Sequence, residues 1–374
     1  MVLPWALALL LSGGLHALAQ PQGPAQAQPR AEAQAQAQAE PQAEAQARAE
    51  TPTPTSVPTA TLPATLDEAR PLPCEDDALA EAASELLLRQ SEPSGADLTL
   101  AAHRAGSDAP AIHALSIRDG DEARIAPFLD RLRERLHAPV VCGLGRTEDR
   151  VLVLAAARGG SLTIDAESER AEIALAPGFR DPIVFVEDAS GAVARLVPAR
   201  DGRVELPPDA PRPLRVQLVA RGADGPRPVA ERAVGGTLRS GGRGGEAPLD
   251  ERIDRLRAGQ GASALRPHRL LASLAADHAA AVCRAGRAAH ELVPGRDPRA
   301  RLRDRSLEAR EVGEVIARGA DAAEAFETLV RSPSHRSALL DGAFTDAGAG
   351  LSTDARGRTC LVVLLAAWPR LVIR

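Results

Sequence analysis

Two histidines and a glutamate, His290, Glu314 and His335, are the groups in this chain best placed to do chemistry. Each stands where the local structure changes rather than in mid-helix. His290 follows a helix that Gly286 stops, and Glu314 follows Gly313 in a short apolar run. Ser332-Pro333 opens a new helix, with serine as N-cap and proline at the first helical position. His335 therefore falls in the first turn, where the positive end of the helix dipole disfavours an imidazolium. A neutral ring there can accept a hydrogen bond or ligate a metal. Two imidazoles and a carboxylate suit a three-ligand divalent site, for which zinc is the best chemical match. The same three groups also suit a hydrogen-bonded cluster that ties loops together. Ser332, three residues before His335, allows a serine–histidine pair, against its plainer service as the N-cap.

The elements that must position these groups are legible from periodicity. Leu249, Ile253 and Leu256 form the stripe of one helix, which Gly259 stops. Pro267 opens the next, with Leu271, Leu274, His278 and Val282 at helical spacing. His278 lies on that apolar face and reads as a satisfied core histidine. Asp321 and Glu324 make a capping box for a helix that buries Phe326, Leu329 and Val330. A closing hairpin over 347–367 turns at Asp354-Ala355-Arg356-Gly357. Its second strand, Leu361 to Ala366, is apolar throughout, which predicts a central position in the sheet.

Taken together these motifs resemble the CAP superfamily, the SCP/PR-1 or cysteine-rich secretory family, in its bacterial form. The histidine after the first helix is His290, followed by Pro298-Arg299-Ala300-Arg301-Leu302 for the family's P-x-x-R-L-like helix. Gly313-Glu314-Val315-Ile316-Ala317 stands for GEN-I-A, and Leu329 to Arg336 for W-x-x-S-P-x-H-R. Phe344 to Gly350 matches the closing F-x-x-x-G-x-G. The order and spacing of four motifs carry the likeness, over residues 247–368. The resemblance implies an α-β-α sandwich and a cleft lined by a His/Glu/Glu/His tetrad, for which metal binding has been proposed. It also implies ligands such as lipids, sterols, peptides or envelope polymers. The chain departs from the pattern where asparagine has become Val315 and tryptophan Leu329. The second glutamate of the tetrad falls on Ser332, so His290, Glu314 and His335 remain.

The chain of 374 residues has room for two or three domains. It holds no lysine and no asparagine, which excludes a catalytic lysine, an asparagine ligand and N-glycosylation. With a net charge of −5, nothing favours nucleic acid or an anionic membrane. Residues 1–19 read as a secretory signal, with a short apolar run and Ala17-Leu18-Ala19 at its end, too short to span a bilayer. A buried N-terminal helix is the competing reading. Four cysteines suit an exported chain, periplasmic, cell-surface or secreted. One bridge per unit, Cys74–Cys142 and Cys283–Cys360, competes with four free buried thiols.

Residues 20–66, rich in Ala, Gln, Glu, Pro and Thr, predict a disordered tether. Residues 67–157 predict a small α/β unit, with helices at 78–88 and 122–136, a strand at Leu98–Ala102, and a hairpin of 140–145 with 150–156. That hairpin resembles 347–367 in its glycines, acidic turn and apolar strand, which suggests a degenerate copy of the last domain without its cleft. Chance likeness of two hairpins is the alternative. Over 158–236, seven short alternating runs between Gly and Pro turns predict an immunoglobulin-like β-sandwich, read as a spacer or binding module. A Gly-rich linker, 237–246, leads to the last domain, 247–368. The fold class is thus α+β multidomain.

Three functions stay open at this point. One is an exported protein that binds a lipid, peptide or envelope component in the His/Glu cleft. A second is a metal-assisted hydrolase, with His290 and His335 on zinc and Glu314 as ligand or general base. The third is a structural or adhesion protein with a vestigial cleft.

Overall fold

The computed structural model describes residues 74–89, 93–118, 121–165, 169–236 and 247–369. The expected leader, the Ala/Gln/Pro-rich segment and the Gly-rich linker lie outside the described residues. Asp67 to Arg374 cluster as one unit. Within it three groups of elements follow one another.

The first group comprises α1 (Asp77–Leu87), α2 (Gly95–Arg104), β1 (His113–Ile117), α3 (Ile125–Leu136), β2 (Val140–Arg146) and β3 (Val151–Ala157). The three strands form an antiparallel sheet in the order β1-β3-β2. Side chains alternate along β3. Leu152, Leu154 and Ala156 meet α1 and α2 on one face. Val151, Val153 and Ala155 meet α3 on the other. The strand expected at Leu98–Ala102 is instead part of α2. The reason is local: Ser94 accepts from the Asp97 N–H while the Asp97 carboxylate accepts from the Ser94 N–H, a capping box that starts a helix. A short apolar run alone cannot tell strand from helix.

The second group is all strand: β4 (Gly160–Asp165), β5 (Arg170–Leu175), β6 (Arg180–Glu187), β7 (Val193–Leu196), β8 (Arg203–Glu205), β9 (Leu214–Gly222) and β10 (Gly225–Val234). Each overlaps one of the seven runs read from the sequence. They form two antiparallel sheets, β10-β9-β6-β7 and β4-β5-β8, which share a core around Leu162, Val184, Leu214, Val216 and Leu218. The core takes alternate residues of β6 and β9. The opposite face of these two strands carries Ile183 and Phe185, then Gln217 and Val219, and these are not left to solvent.

The third group holds α4 (Leu249–Ala258), β11 (Arg266–Pro267), α5 (Arg269–Ala285), α6 (Pro298–Arg303), β12 (Glu311–Gly319), α7 (Ala322–Arg331), α8 (Pro333–Leu340), β13 (Asp346–Thr353) and β14 (Thr359–Ala367). Pro267 does not open α5: it pairs in β11 with Ala347, and His268 caps the helix through its ring nitrogen. The sheet order is β11-β13-β14-β12, so the apolar last strand is interior. Val362, Leu364 and Ala366 face α5 and α6. Leu361, Val363 and Leu365 face α4, α7 and α8. The result is helix, sheet and helix in three layers.

From α5 on, the third group repeats the chain order of the first, helix-helix-strand-helix-strand-strand, with α7 and α8 in place of α3; α4 and β11 precede it without counterparts. Their strand orders correspond, β1-β3-β2 against β12-β14-β13. In both, one strand carries glycines two apart beneath a helix. A Cβ at Gly143 would lie 2.1 Å from the Ala80 nitrogen, and one at Gly348 2.1 Å from the Ala272 nitrogen.

Both expected disulfides are present, Cys74–Cys142 and Cys283–Cys360, and no cysteine is free among the described residues. The second ties the end of α5 to β14 and closes a separation of 77 residues. Denatured, unreduced protein is expected to give no free thiol with Ellman's reagent. Removing this bridge with paired serines costs about 2–5 kcal/mol, read by urea unfolding. Any thiol titrating in the unreduced chain contradicts the pairing.

Candidate functional site

Three turns of local structure bring the site together. Gly286, at φ 68°, ends α5 in the left-handed conformation that glycine adopts freely. The chain then delivers His290. Glu314 sits on β12, on the side that Val312 and Ile316 turn toward α5 and α6. Pro333 starts α8 and puts His335 in its first turn.

Glu314 is the centre, with its side chain only 1% exposed. The His290 Nδ1–H donates to Glu314 Oε1 at 2.9 Å. Arg301, on α6, contacts the other carboxylate oxygen through Nη2. Its Nη1 also donates to the carbonyls of His290, at 2.8 Å, and Arg296, at 2.9 Å. One arginine thus fixes both the carboxylate and the loop that carries His290. Burial pushes the Glu314 carboxyl up, but the hydrogen bond and charge of His290, with the charge of Arg301, hold it below the usual carboxylate range. The carboxylate is therefore ionised, and it accepts the Nδ1–H of His290.

His278 stands behind this pair, its Nε2 3.8 Å from Glu314 Oε1. That nitrogen donates to the Ala289 carbonyl at 2.9 Å, so the ring is a satisfied core histidine, as its place on the apolar face of α5 suggests.

His335 completes the histidine set. Its Nδ1 is sealed from solvent with no hydrogen-bond partner. Its pKa is lowered to about 3, first by burial and then by the charge of His290. The ring is neutral, as the first-turn argument expects, but desolvation dominates rather than the helix dipole.

Residues 251–365 match the family described as CAP, the Cysteine-rich secretory protein family. The C-terminal third is a CAP domain. Among solved structures the chain is similar to an outer surface protein of Borrelia burgdorferi, at 21% identity and TM-score 0.31, over 32% of this chain and 90% of that one. It is similar to an extracellular SCP-domain protein of Bacillus anthracis, at 13% identity and TM-score 0.29, over 55% and 88%. It is also similar to a cysteine-rich secretory protein of Staphylococcus aureus, at 10% identity and TM-score 0.27, over 64% and 90%. No curated protein matches.

In the CAP domain Ser332 does not act as a side-chain N-cap, contrary to the sequence reading. Its hydroxyl donates to Gln217 Oε1, on β9 of the middle group, at 3.1 Å. The same oxygen accepts from the Ser334 backbone N–H, also at 3.1 Å. Gln217 thus caps α8 from outside the CAP domain. No hydrogen bond joins Ser332 to His335, so the serine–histidine chemistry lacks its first requirement.

The residues present do not fit a divalent metal. Among the described residues no group of three or more His, Cys, Asp or Glu stands ready to hold one. Where His290, Glu314 and His335 were expected to share a cation, the guanidinium of Arg301 already neutralises Glu314, and His335 bonds to neither partner.

The CAP domain meets the middle group along one edge. The backbone N–H groups of His290 and Glu291 both donate to the Asp224 carbonyl, at 3.0 and 3.2 Å. Asp224 is buried in the β9–β10 turn, and its carboxylate contacts Arg287 and, at 3.2 Å, His137 Nδ1. Arg336 donates to the Gly191 carbonyl at 3.0 Å. Between the two surfaces lies a cavity of about 480 Å³ whose walls include His290, Glu314 and His335. Sequence reasoning missed Arg301, Gln217 and Asp224. Arg301 lay inside a quoted motif but read as a helix residue, and the other two have no local signal.

The buried imidazole predicts an acid sensitivity. The folded pKa of His335 is below its unfolded value near 6.5, so its contribution is fully present above pH 6.5 and is lost as pH falls toward 3. The His335→Leu variant is expected to lose about 2 kcal/mol less than the natural chain between pH 7 and pH 4.5 in urea unfolding. His113, lowered to about 4 by burial and then by Arg135, Arg358 and Arg318, leaves a residual slope in both. Parallel pH profiles for the two proteins contradict the assignment.

Proposed function

We propose that this chain is an exported binding protein that holds a ligand in the His290/Glu314/His335 cleft of its CAP domain. The observation that carries the reading is the floor of the cavity. Glu314 is buried, ionised and balanced by Arg301, and two imidazoles stand beside it. Such a floor offers fixed hydrogen-bonding groups without a free nucleophile. The Glu314 carboxylate is already engaged on both oxygens, which disfavours its use as a general base and weighs against the hydrolase.

Export is supported by two disulfides, which persist in oxidising compartments, and by the leader-like residues 1–19. We read the middle group as an immunoglobulin-like sandwich. The first group reads as a degenerate CAP-like copy, supported by the shared strand order and the paired glycines; it lacks the cleft residues.

The test is capture. Full-length protein is incubated with an envelope extract and repurified, and bound molecules are identified by mass spectrometry. The natural chain is expected to retain a compound that His290→Ala with His335→Ala releases. Retention of nothing by the natural chain, or equal retention by the double variant, overturns the reading.

A further inference from the structure

The middle group's sheet forms one side of the CAP domain's cleft. Four contacts fasten that sheet. Gln217, 1% exposed, caps α8 beside His335. Asp224 holds the backbone of the loop that carries His290. Arg215 reaches the Arg331 carbonyl at the end of α7. Arg336 joins the Gly191 carbonyl and, at 3.5 Å, Glu187. A buried amide that satisfies two donors, and a buried carboxylate that balances the charge of Arg287, are costly to separate, because each would be left without partners or returned to water with strain on its loop.

The sheet contributes chemistry as well as cover. Its residues in the cavity wall are Ile183, Phe185, Val219 and the prolines 226 and 228, together with Arg195, Arg221 and Arg227. Ile183, Phe185 and Val219 lie on the face of β6 and β9 opposite the core of the two sheets. Facing them, the CAP domain supplies polar groups that include His290, Glu291, Glu314, Arg299 and His335. Glu314 is neutralised by Arg301, His335 is neutral, and Arg221 at the wall is paired with Glu291 at 3.2 Å. A volume of about 480 Å³ falls within the range that encloses a drug-sized molecule.

We propose that the middle group is a structural wall of the binding site, and that the site takes a small molecule with an apolar body and one hydrogen-bonding group. The apolar body lies against Phe185, Ile183 and Val219, and the polar group meets an imidazole of the floor. This rests on the proposed function, and narrows it to a ligand class.

The experiment uses full-length protein and the neutral dye N-phenyl-1-naphthylamine, whose fluorescence rises in an apolar site. The natural chain is expected to bind one neutral dye per molecule. Phe185→Ala weakens binding roughly tenfold, equivalent to about 1.4 kcal/mol, and Val219→Ala, a milder change in the same wall, weakens it in the same direction. His335→Ala weakens binding from the floor side, and circular dichroism confirms that each variant is folded. Loss with His335→Ala but none with either wall variant overturns the wall and leaves the proposed function standing. Failure of the natural chain to bind the neutral dye, with a compound still recovered by capture, overturns the ligand class alone. Co-sedimentation with insoluble peptidoglycan that His335→Ala abolishes also overturns it, since a polymer would then be reaching the floor.

Discussion

Replacing Glu314 by alanine destabilises the protein by about 3–5 kcal/mol, measured by urea unfolding at pH 7. The cost does not come from lost attraction alone. Arg301 has a side chain only 11% exposed, and without the carboxylate its charge is buried and uncompensated. His290 loses its Nδ1 acceptor at the same time. Removing Arg301 alone leaves the converse problem, a buried anion with one imidazole. The double variant Glu314→Leu with Arg301→Leu is therefore expected to cost at least about 2 kcal/mol less than the two single changes summed, because neither charge is stranded. The pH dependence has a definite sign. The folded pKa of Glu314 lies below its unfolded value near 4.5, so its contribution is present above that pH and is lost as pH falls through the folded value. Additive single-variant costs, or a cost below about 1 kcal/mol for Glu314→Ala, would falsify the buried ion pair as the keeper of the loop.

Gly348→Ala is expected to cost at least about 3 kcal/mol or to abolish soluble expression, the upper end of what overpacking does. The added carbon would lie 2.1 Å from the Ala272 nitrogen and 2.4 Å from the Leu271 carbonyl carbon. These are backbone atoms of α5, so no rotamer change relieves the contact, and the helix must lift from the sheet. That helix carries His278 and ends at the turn leading to His290, so ligand binding should fall with stability. Gly143→Ala does the equivalent damage in the first group, against Ala80 of α1. Gly342→Ala is the control. It has nothing within 4 Å, and thermal melting should be nearly unchanged. Normal melting of Gly348→Ala would show that α5 is held less closely than described.

Much of the CAP domain was legible because its signals are local and repeated. The stripe on α5, the capping box at Asp321 and Glu324, the apolar run of β14 and the glycine stop at Gly286 each fix an element within one or two turns of chain. The pairing of cysteines followed from one bridge per unit. What stayed hidden was long-range. Gln217 stands in Val216-Gln217-Leu218-Val219, where a lone polar residue in an apolar run reads as an exposed edge of the strand. The neighbouring residues held a clue. Ile183-Val184-Phe185-Val186 has no polar alternation, as expected of a strand covered on both faces. The segment Leu98–Ala102 differs for the opposite reason: its signal is local, the capping box of Ser94 and Asp97 that starts a helix, and a five-residue apolar run has no period of its own to distinguish strand from helix.

Asp224 sets a condition on how the protein can be dissected. Its carbonyl holds the chain at His290, and its carboxylate reaches Arg287 of the CAP domain and His137 of the first group. A fragment beginning at residue 247 keeps every motif by which the family is recognised, yet it discards both Asp224 and Gln217. Its two histidine-bearing segments would be released from their outside supports, and a binding or activity survey done on such a fragment would describe a pocket that the intact chain does not possess.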